Sequence, residues 1–396
     1  MLSSSRRRSA RARALLLFAC GLLVLAPVVA AQETDEAPSR FPPLDTEVMV
    51  PELARPADAP DTDPLARFRR LPSGPAVDTP TRPTAPAVAV GPAQPIEPPP
   101  VRRLTVMLDW YPSPRHAALF VARERDLFAH RGLAVEIVTP ADPDVPTKLL
   151  AASRIDLALT RQPLLHLLVH RGQPLVRVAT LVGLPLTALV MRADADLPSP
   201  TSLAGARIGH ADLDGEAVLL ATLLDSQDVS RESVDSPDLH FRLEQAMRED
   251  RVDGVIGAER HLLARALADE GLATTTLPVE AFGVPRHDGL ILVANRNHLS
   301  RQRDAIQHFV EALEEATAWI LEHPEESWPL LAAAEPTLDT PANRAAWPEI
   351  RARLSLAPAA LSRTRYAGFE RFLFETGVTD ERKPVGRLAV DPGARP

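Results

Sequence analysis

Two of the few aromatic side chains of this sequence stand together directly after a predicted strand. Aromatic residues make up 4% of the chain and it contains only two tyrosines, yet Trp110 and Tyr111 are adjacent. They follow the strand predicted at 104–108, and ligands of open α/β sheets bind beyond the carboxyl ends of strands. Because aromatic faces stack on flat rings, we predict that both residues contact a planar heteroaromatic ligand. Packing of Trp110 inside a core is the alternative.

Two polar residues flank this aromatic pair. The carboxylate of Asp109 could accept a hydrogen bond from an exocyclic amine of the ligand, or it could cap the turn before His116. The imidazole of His116 could donate to the ligand, or it could be a satisfied cap at the start of the helix predicted at 116–127. We include both residues among the candidate ligand contacts.

A second candidate group follows the strand predicted at 155–160. Arg161 and Gln162 precede a helix whose first turn contains Pro163. The free backbone N–H groups at such a helix start suit polar or anionic ligand groups. We therefore predict that both side chains contact the ligand, with a solvated surface arginine as the alternative for Arg161.

Metal and nucleophile chemistry is not expected. His166 and His170 are four residues apart, but no third ligand is suggested nearby, so their spacing predicts a helix face rather than a metal site. The sole cysteine, Cys20, lies in the N-terminal apolar run, and no P-loop, nucleophile elbow or HExxH motif is present. We predict a protein that is not an enzyme and holds no cofactor or metal. The net charge of −8, without a basic aromatic stripe, argues against nucleic acid.

The N-terminus has the order of a secretory signal peptide. Five arginines between positions 6 and 13 precede an apolar run at 14–26, and small residues follow at Ala30 and Ala31. The run is shorter than the roughly 20 residues that span a bilayer. We predict export to the periplasm with cleavage near position 31. An uncleaved membrane anchor is the alternative.

The rest of the chain divides by composition. Residues 38–100 contain 17 of the 40 prolines, which predicts a disordered tether over 32–100 because such a segment cannot bury enough apolar surface. From position 101, strands alternate with helices, which is typical of α/β layers. About 295 residues exceed one comfortable core, so two lobes are expected. The predicted domains are lobe 1 at 101–195, lobe 2 at 196–283, a return to lobe 1 with C-terminal helices at 284–380, and a disordered tail at 381–396, with crossovers near 197–200 and 283–288.

A set of motifs in fixed order resembles the NMT1/THI5-like (SsuA/THI5-like) family. The likeness covers roughly 101–378, and its strongest part is the opening segment LDWYPSPRHAALFVA at 108–122. The further motifs are RGL at 131–133, TPADP at 139–143, KLLAASRID at 148–156, QP at 162–163, LAGARIG at 203–209, VDGVIGA at 252–258 and FGVP at 282–285.

This resemblance implies a periplasmic-binding-protein-like fold of type II, with two α/β lobes, a hinge and a ligand cleft between the lobes. It further implies a monomeric substrate-binding protein of an ABC-type uptake system, with a thiamine pyrimidine precursor as ligand and an inner-membrane permease as partner. A tethered periplasmic sensor or accessory protein with the same fold is the alternative. A pyrimidine synthase like the fungal relatives is least favoured, because Thr160 and Leu164 stand where those enzymes have lysine and histidine.

The chain departs from the pyrimidine-binding relatives in the loop at 283–290. Those relatives tend to have tyrosine at the position of His287 and glutamate at that of Gly289. Asp288 is adjacent but would point to the opposite side of an extended chain. Arg161 also stands where a tyrosine is common. We keep His287 and Asp288 as candidate ligand contacts, and the identity of the ligand stays open.

Overall fold

The computed structural model describes residues 101–195 and 203–394, which form two α/β lobes built on two separate sheets. The predicted signal peptide and tether lie outside the described residues. Within the described part, no helix is long and apolar enough to cross a membrane.

The described residues contain nine strands, divided between a five-stranded and a four-stranded sheet. In chain order the strands are β1 (Arg102–Met107), β2 (Leu133–Val138), β3 (Leu157–Thr160), β4 (Leu175–Val182), β5 (Thr187–Arg192), β6 (Ile208–Gly209), β7 (Gly254–Glu259), β8 (Thr274–Pro278) and β9 (Leu290–Asn295).

The five-stranded sheet, in lobe 1, has the order β2-β1-β3-β9-β4. Strands β2, β1 and β3 run parallel, while β9 is antiparallel to both of its neighbours. The four-stranded sheet, in lobe 2, has the order β6-β7-β5-β8, with β6 and β7 parallel and β5 antiparallel to β7 and β8. Every residue of β4 and β9 is buried, as expected for strands covered on both faces.

Eleven α-helices lie in the described ranges, and a π-helical segment, Gly215–Leu220, leads into the fourth. They are α1 (Ala117–Glu124), α2 (Val145–Ala151), α3 (Gln162–His170), α4 (Ala221–Ser226), α5 (Leu243–Arg248), α6 (Leu263–Asp269), α7 (Leu299–Glu322), α8 (Pro324–Ala334), α9 (Pro341–Arg351), α10 (Arg363–Glu375) and α11 (Val385–Leu388).

The helices cover both faces of each sheet. In lobe 1, α1, α7 and α8 bury one face, where the rings of Phe128 and Phe309 stack at 4.7 Å. The 24 residues of α7 bury a position every three or four residues, the spacing of an amphipathic helix. The opposite face is covered by α2, α3 and α11. In lobe 2, the π-helical segment with α4 packs on one side of the sheet, and α5 with α6 packs on the other.

The chain crosses between the lobes at residues 183–186, between β4 and β5, and at 279–289, between β8 and β9. The expected first boundary at 195 and crossover near 197–200 were therefore wrong, because β5 pairs with β7 and β8 in the sheet of lobe 2. Strands β4 and β5 are equally apolar, so their sequences do not show that they belong to different sheets. Residues 196–202 lie outside the described residues.

The two crossovers touch at Gly289. Its backbone N–H donates to the Val182 carbonyl over 2.9 Å, and a Cβ atom added to Gly289 would lie 2.2 Å from the Leu184 carbonyl oxygen. No side chain fits there unless the crossovers move apart. A glutamate at this position would therefore not fit between the crossovers as they pack here.

The expectation of a disordered tail at 381–396 was wrong for residues 381–394. Leu388 and Ala389 are buried, and Ala389 pairs with Arg177 of β4 in a parallel bridge. The buried guanidinium of Arg177 donates to the carbonyls of Pro358 and Val390, so it fastens two C-terminal segments to the sheet. The polar, proline-containing composition of the tail concealed this short apolar anchor.

Candidate ligand-binding site

A cavity of about 500 Å³ lies between the two lobes, within the size range of small-molecule sites. Lobe 1 contributes the loop after β1, residues 110–115, together with Arg161 and the start of α9. Lobe 2 contributes Phe241, the end of β7, and parts of α5 and α6. The cavity therefore sits where the carboxyl ends of β1, β3 and β7 meet.

Three aromatic rings from both lobes form one wall of this cavity. Phe241 of lobe 2 packs against Trp110 at 4.5 Å and against Tyr111 at 4.6 Å, while Trp110 and Tyr111 are 6.4 Å apart. Trp110 packs against the apolar cluster of lobe 2, which includes Leu243 and Leu263, rather than inside its own lobe. The ring of Tyr111 is half exposed. The wall can offer aromatic faces to a flat ligand.

The polar residues beside this wall form hydrogen bonds and an ion pair with one another. His116 is fully buried; its Nδ1 accepts from the backbone N–H of Ser113 over 3.1 Å, and its Nε2 donates to Asp109 over 2.9 Å. Arg115 lies 3.1 Å from the second oxygen of Asp109. Burial alone would raise the pKa of Asp109, but Arg115 and His116 hold that pKa well below its usual range. Burial lowers the pKa of His116 despite Asp109 beside it. Both ring nitrogens of His116 are therefore occupied by hydrogen bonds within the loop, in agreement with the alternative that His116 is a satisfied cap.

Arg161 joins the two lobes across the cavity. Its Nη2 atom lies 2.6 Å from Asp212 and 2.6 Å from Asp214, and its Nη1 donates to the Gly257 carbonyl over 3.3 Å. Its side chain is only 11% exposed, so Arg161 is no solvated surface arginine. Burial lowers the pKa of Arg161, but the two carboxylates outweigh that and raise it above its ordinary value. Burial raises the pKa of Asp212 to about 7, against the influence of Arg161.

A β-bulge turns the end of β7 towards the cavity. Gly257 has a φ of 81°, a conformation that favours glycine, and the pairing with β5 shifts there because Ala258 and Ile256 face consecutive residues. Glu259 follows the bulge and lines the cavity, with its side chain 8% exposed. Burial raises the pKa of Glu259 to about 7. The charged neighbour across the cavity is Arg115, at 3.7 Å.

Five of the predicted ligand contacts do not line the cavity: Asp109 and His116, which bind each other in the loop after β1, and Gln162, His287 and Asp288. Gln162 and Asp288 bind each other, since the Gln162 Oε1 accepts from the Asp288 N–H over 2.8 Å. The Asp288 carboxylate accepts from Thr180 over 2.8 Å and pairs with Arg365. His287 is buried and its Nδ1 donates to the Pro285 carbonyl over 2.8 Å, while burial lowers its pKa to about 4. These side chains hold the second crossover against lobe 1.

The histidine pair on α3 binds a carboxylate. Nδ1 of His166 lies 2.6 Å from Glu370, and Nε2 of His170 lies 3.1 Å from the same carboxylate. Across residues 101–195 and 203–394, no group of three or more His, Cys, Asp or Glu side chains could hold a metal ion. The pair links α3 to α10.

The sequence reasoning missed five side chains at this site. They are Arg115, Asp212, Asp214, Phe241 and Glu259. Asp212 and Asp214 follow the end of β6, and Glu259 ends β7, so polar residues beyond strand ends were an available signal. Phe241 lies in a turn before α5 and carried no such signal.

Comparison with known proteins agrees with this architecture. A family model described as NMT1/THI5 like matches residues 113–327. A putative thiamine biosynthesis protein of Haemophilus influenzae is 36% identical over 290 residues, which are 73% of this chain and 92% of the relative. A formylaminopyrimidine-binding protein of Halalkalibacterium halodurans is 32% identical over 222 residues, 56% of this chain and 67% of the relative. A 4-amino-5-hydroxymethyl-2-methylpyrimidine phosphate synthase of Saccharomyces cerevisiae is 25% identical over 240 residues, 57% of this chain and 69% of the relative.

The fold also has solved counterparts. The alkanesulfonate-binding protein SsuA of Xanthomonas axonopodis pv. citri superposes with a TM-score of 0.59 at 16% identity, over 73% of this chain and 98% of that chain. This likeness confirms the expected periplasmic-binding-protein-like fold of type II, with two α/β lobes. The family model and the relative from Haemophilus influenzae together show that the chain belongs to the NMT1/THI5-like family.

Proposed function

We propose that the protein is an exported substrate-binding protein of an ABC-type uptake system. In this proposal it encloses a small heteroaromatic molecule, such as a pyrimidine precursor of thiamine, and catalyses no reaction. Membership of the family and the name of the formylaminopyrimidine-binding relative support the class of ligand. The signal-like N-terminus supports export to the periplasm.

The observation that carries the proposal is the shared aromatic wall. Trp110 and Tyr111 come from lobe 1 and Phe241 from lobe 2, so a flat ligand stacked against this wall would contact both lobes. Stacking of such a ring contributes about 0.5–1.5 kcal/mol beyond the area that it buries. Because these contacts form only when the lobes are together, ligand binding favours the closed arrangement.

Lobe closure has a structural basis in the crossovers and in the contacts between lobes. The two crossovers form the hinge, while ion pairs such as Arg161 with Asp214 and Arg265 with Glu349 join the lobes away from it. Hinge closure of two lobes around a small molecule is a common switching mode. An inner-membrane permease is the partner proposed to recognise the closed form.

The side chains at two positions argue against a reaction like that of the fungal synthases. Thr160 and Leu164, which stand where the resemblance places the lysine and histidine of the fungal synthases, are buried in β3 and α3. Neither side chain can form an imine with a carbonyl group or transfer a proton as a histidine does.

The test is calorimetric titration of the full chain with 4-amino-5-hydroxymethyl-2-methylpyrimidine and with a formylaminopyrimidine, after mass spectrometry of small molecules that co-purify. Saturable binding of one ligand per chain is the expected result. If neither compound binds and no heteroaromatic molecule co-purifies, the uptake proposal fails. Capture of a membrane-bound signalling partner instead would favour the tethered sensor.

A further inference from the structure

Glu259 is a buried carboxyl group in the cavity without a hydrogen-bond partner. Its side chain is 8% exposed, and neither Oε1 nor Oε2 has a hydrogen-bond partner among the residues that the structure describes. Leaving such a group buried and unpaired costs free energy. A ligand that supplied donors to both oxygens would remove that cost.

The neighbouring arginines are directed to other carboxylates. Arg115 places its Nη2 atom 3.1 Å from Asp109, while its Nη1 atom stays 3.7 Å from Glu259, beyond hydrogen-bonding distance. Arg260, the next residue in the chain, donates to Glu280 over 2.7 Å and to the Thr187 carbonyl over 3.0 Å. The carboxyl group of Glu259 is thus left for something that enters the cavity.

The charges around the cavity favour a donor over an anion. The cavity lining contains two guanidinium groups, of Arg115 and Arg161, and both make their closest contacts with the protein carboxylates Asp109, Asp212 and Asp214, which do not line the cavity. The carboxyl groups that do line it are Glu244, Glu259, Asp269 and Glu270. A sulfonate or carboxylate ligand would find no free cation among these groups, and it would face the unpaired Glu259.

We propose that Glu259 determines specificity, with its two carboxyl oxygens binding two adjacent nitrogens on the edge of an aromatic heterocycle, an exocyclic amino group and the neighbouring ring nitrogen. The assignment rests on the proposed function and adds to it the residue that recognises the ligand. The aromatic wall would stack on the face of the ring, while Glu259 would form hydrogen bonds with its edge. A carboxyl group that holds one proton pairs with this edge through two parallel hydrogen bonds, one accepted from the amino group and one made to the ring nitrogen, which is more selective than a single hydrogen bond.

The protonation of Glu259 is compatible with this pairing. Burial raises its pKa to about 7, so the carboxyl group holds a proton in a substantial fraction of molecules near neutral pH. In the protonated form, one oxygen of Glu259 accepts from the amino group of the ligand and the carboxyl O–H donates to the ring nitrogen. This proton, supplied by Glu259, can also move to the ring nitrogen, which leaves a carboxylate beside a protonated ring.

The experiment compares two ligands on three forms of the full chain. The ligands are 4-amino-5-hydroxymethyl-2-methylpyrimidine and its analogue without the amino group. The protein forms are the wild type, Glu259→Leu, whose side chain forms no hydrogen bond, and a matched control, Glu280→Leu, since the Glu280 carboxylate pairs with Arg260 and lines no part of the cavity. Circular dichroism and melting temperatures establish that all three are folded.

The expected result is that the wild type and Glu280→Leu prefer the amino compound by at least about tenfold. Glu259→Leu should lose most of that preference while binding the analogue as the wild type does. An unchanged preference in Glu259→Leu overturns the assignment, and so does an equal loss of affinity for both compounds. If the wild type binds neither compound, the proposed function itself fails and the assignment fails with it.

Discussion

The Nη2 atom of Arg161 lies 2.6 Å from the Oδ1 atom of Asp214, and this contact joins the two lobes. Arg161 directly precedes α3 in lobe 1, whereas Asp214 precedes the π-helical segment in lobe 2. Asp212 lies at the same distance from the same nitrogen. Because all three side chains are nearly buried, their charges depend on one another for compensation.

Replacing Arg161 with methionine should strongly destabilise the protein. The change leaves Asp212 and Asp214 buried without a cation, and removing one partner from a buried ion pair costs about 3–5 kcal/mol. Urea unfolding at pH 8 measures the loss. The triple variant Arg161→Met, Asp212→Asn, Asp214→Asn should recover most of it, because no buried charge then lacks a partner. Equal urea midpoints for the wild type and Arg161→Met would contradict this account.

Replacing Trp110 with alanine should weaken ligand binding by at least about tenfold. The variant loses the stacking contribution, about 0.5–1.5 kcal/mol, together with apolar contact area. Titration calorimetry with 4-amino-5-hydroxymethyl-2-methylpyrimidine measures the affinity. Trp319→Ala is the control, since Trp319 stacks on His323 at the end of α7, away from the cavity. An equal effect of the two substitutions would remove Trp110 from the binding site.

Local sequence patterns predicted most elements of the fold, because apolar periodicity and turn residues act over a few positions. The strands predicted at 104–108 and 155–160 and the helix predicted at 116–127 correspond to β1, β3 and α1, with bounds that differ by no more than three residues. The rule that ligand sites lie beyond strand ends also selected Trp110, Tyr111 and Arg161, and all three line the cavity. Their contact with a ligand stays a prediction.

Pairings between distant residues could not be predicted in the same way. Gln162 and Asp288 were both selected as ligand contacts, yet they are 126 positions apart and bind each other. Each looked like an unpaired polar residue near a strand end because its partner is far away in the chain. Glu259 stands at the end of β7, where a polar residue is a signal, but the register shift at Gly257 just before it cannot be read from the sequence pattern.

Replacing Glu259 with glutamine should stabilise the ligand-free protein at alkaline pH. Burial raises the pKa of Glu259 from 4.5 to about 7. Between these values the native state holds a proton that the unfolded state has released, so the stability of the wild type falls as the pH rises. Above pH 7 the penalty is complete, and it amounts to at most about 3 kcal/mol. The variant lacks this penalty because its amide carries no charge.

Urea unfolding of both proteins between pH 4.5 and 8.5 tests the sign of this effect. The variant should gain stability over the wild type as the pH rises, with most of the change complete by about pH 7. Parallel curves would show that the Glu259 carboxyl group titrates alike in the folded and unfolded chains. A wild type that becomes more stable than the variant at high pH would show that the carboxylate is well paired.

Replacing Gly289 with alanine should destabilise the hinge. The new Cβ atom would lie 2.2 Å from the Leu184 carbonyl oxygen, while the Gly289 N–H is held by Val182, so the two crossovers must move apart. Overpacking of this kind costs about 1–3 kcal/mol. The matched control is Gly183→Ala in the first crossover, where no heavy atom lies within 4 Å of the added Cβ. Urea midpoints should fall for Gly289→Ala and change little for Gly183→Ala. Equal midpoints for the two variants would show that the crossovers separate freely, and close packing at Gly289 could then no longer explain the absence of a side chain there.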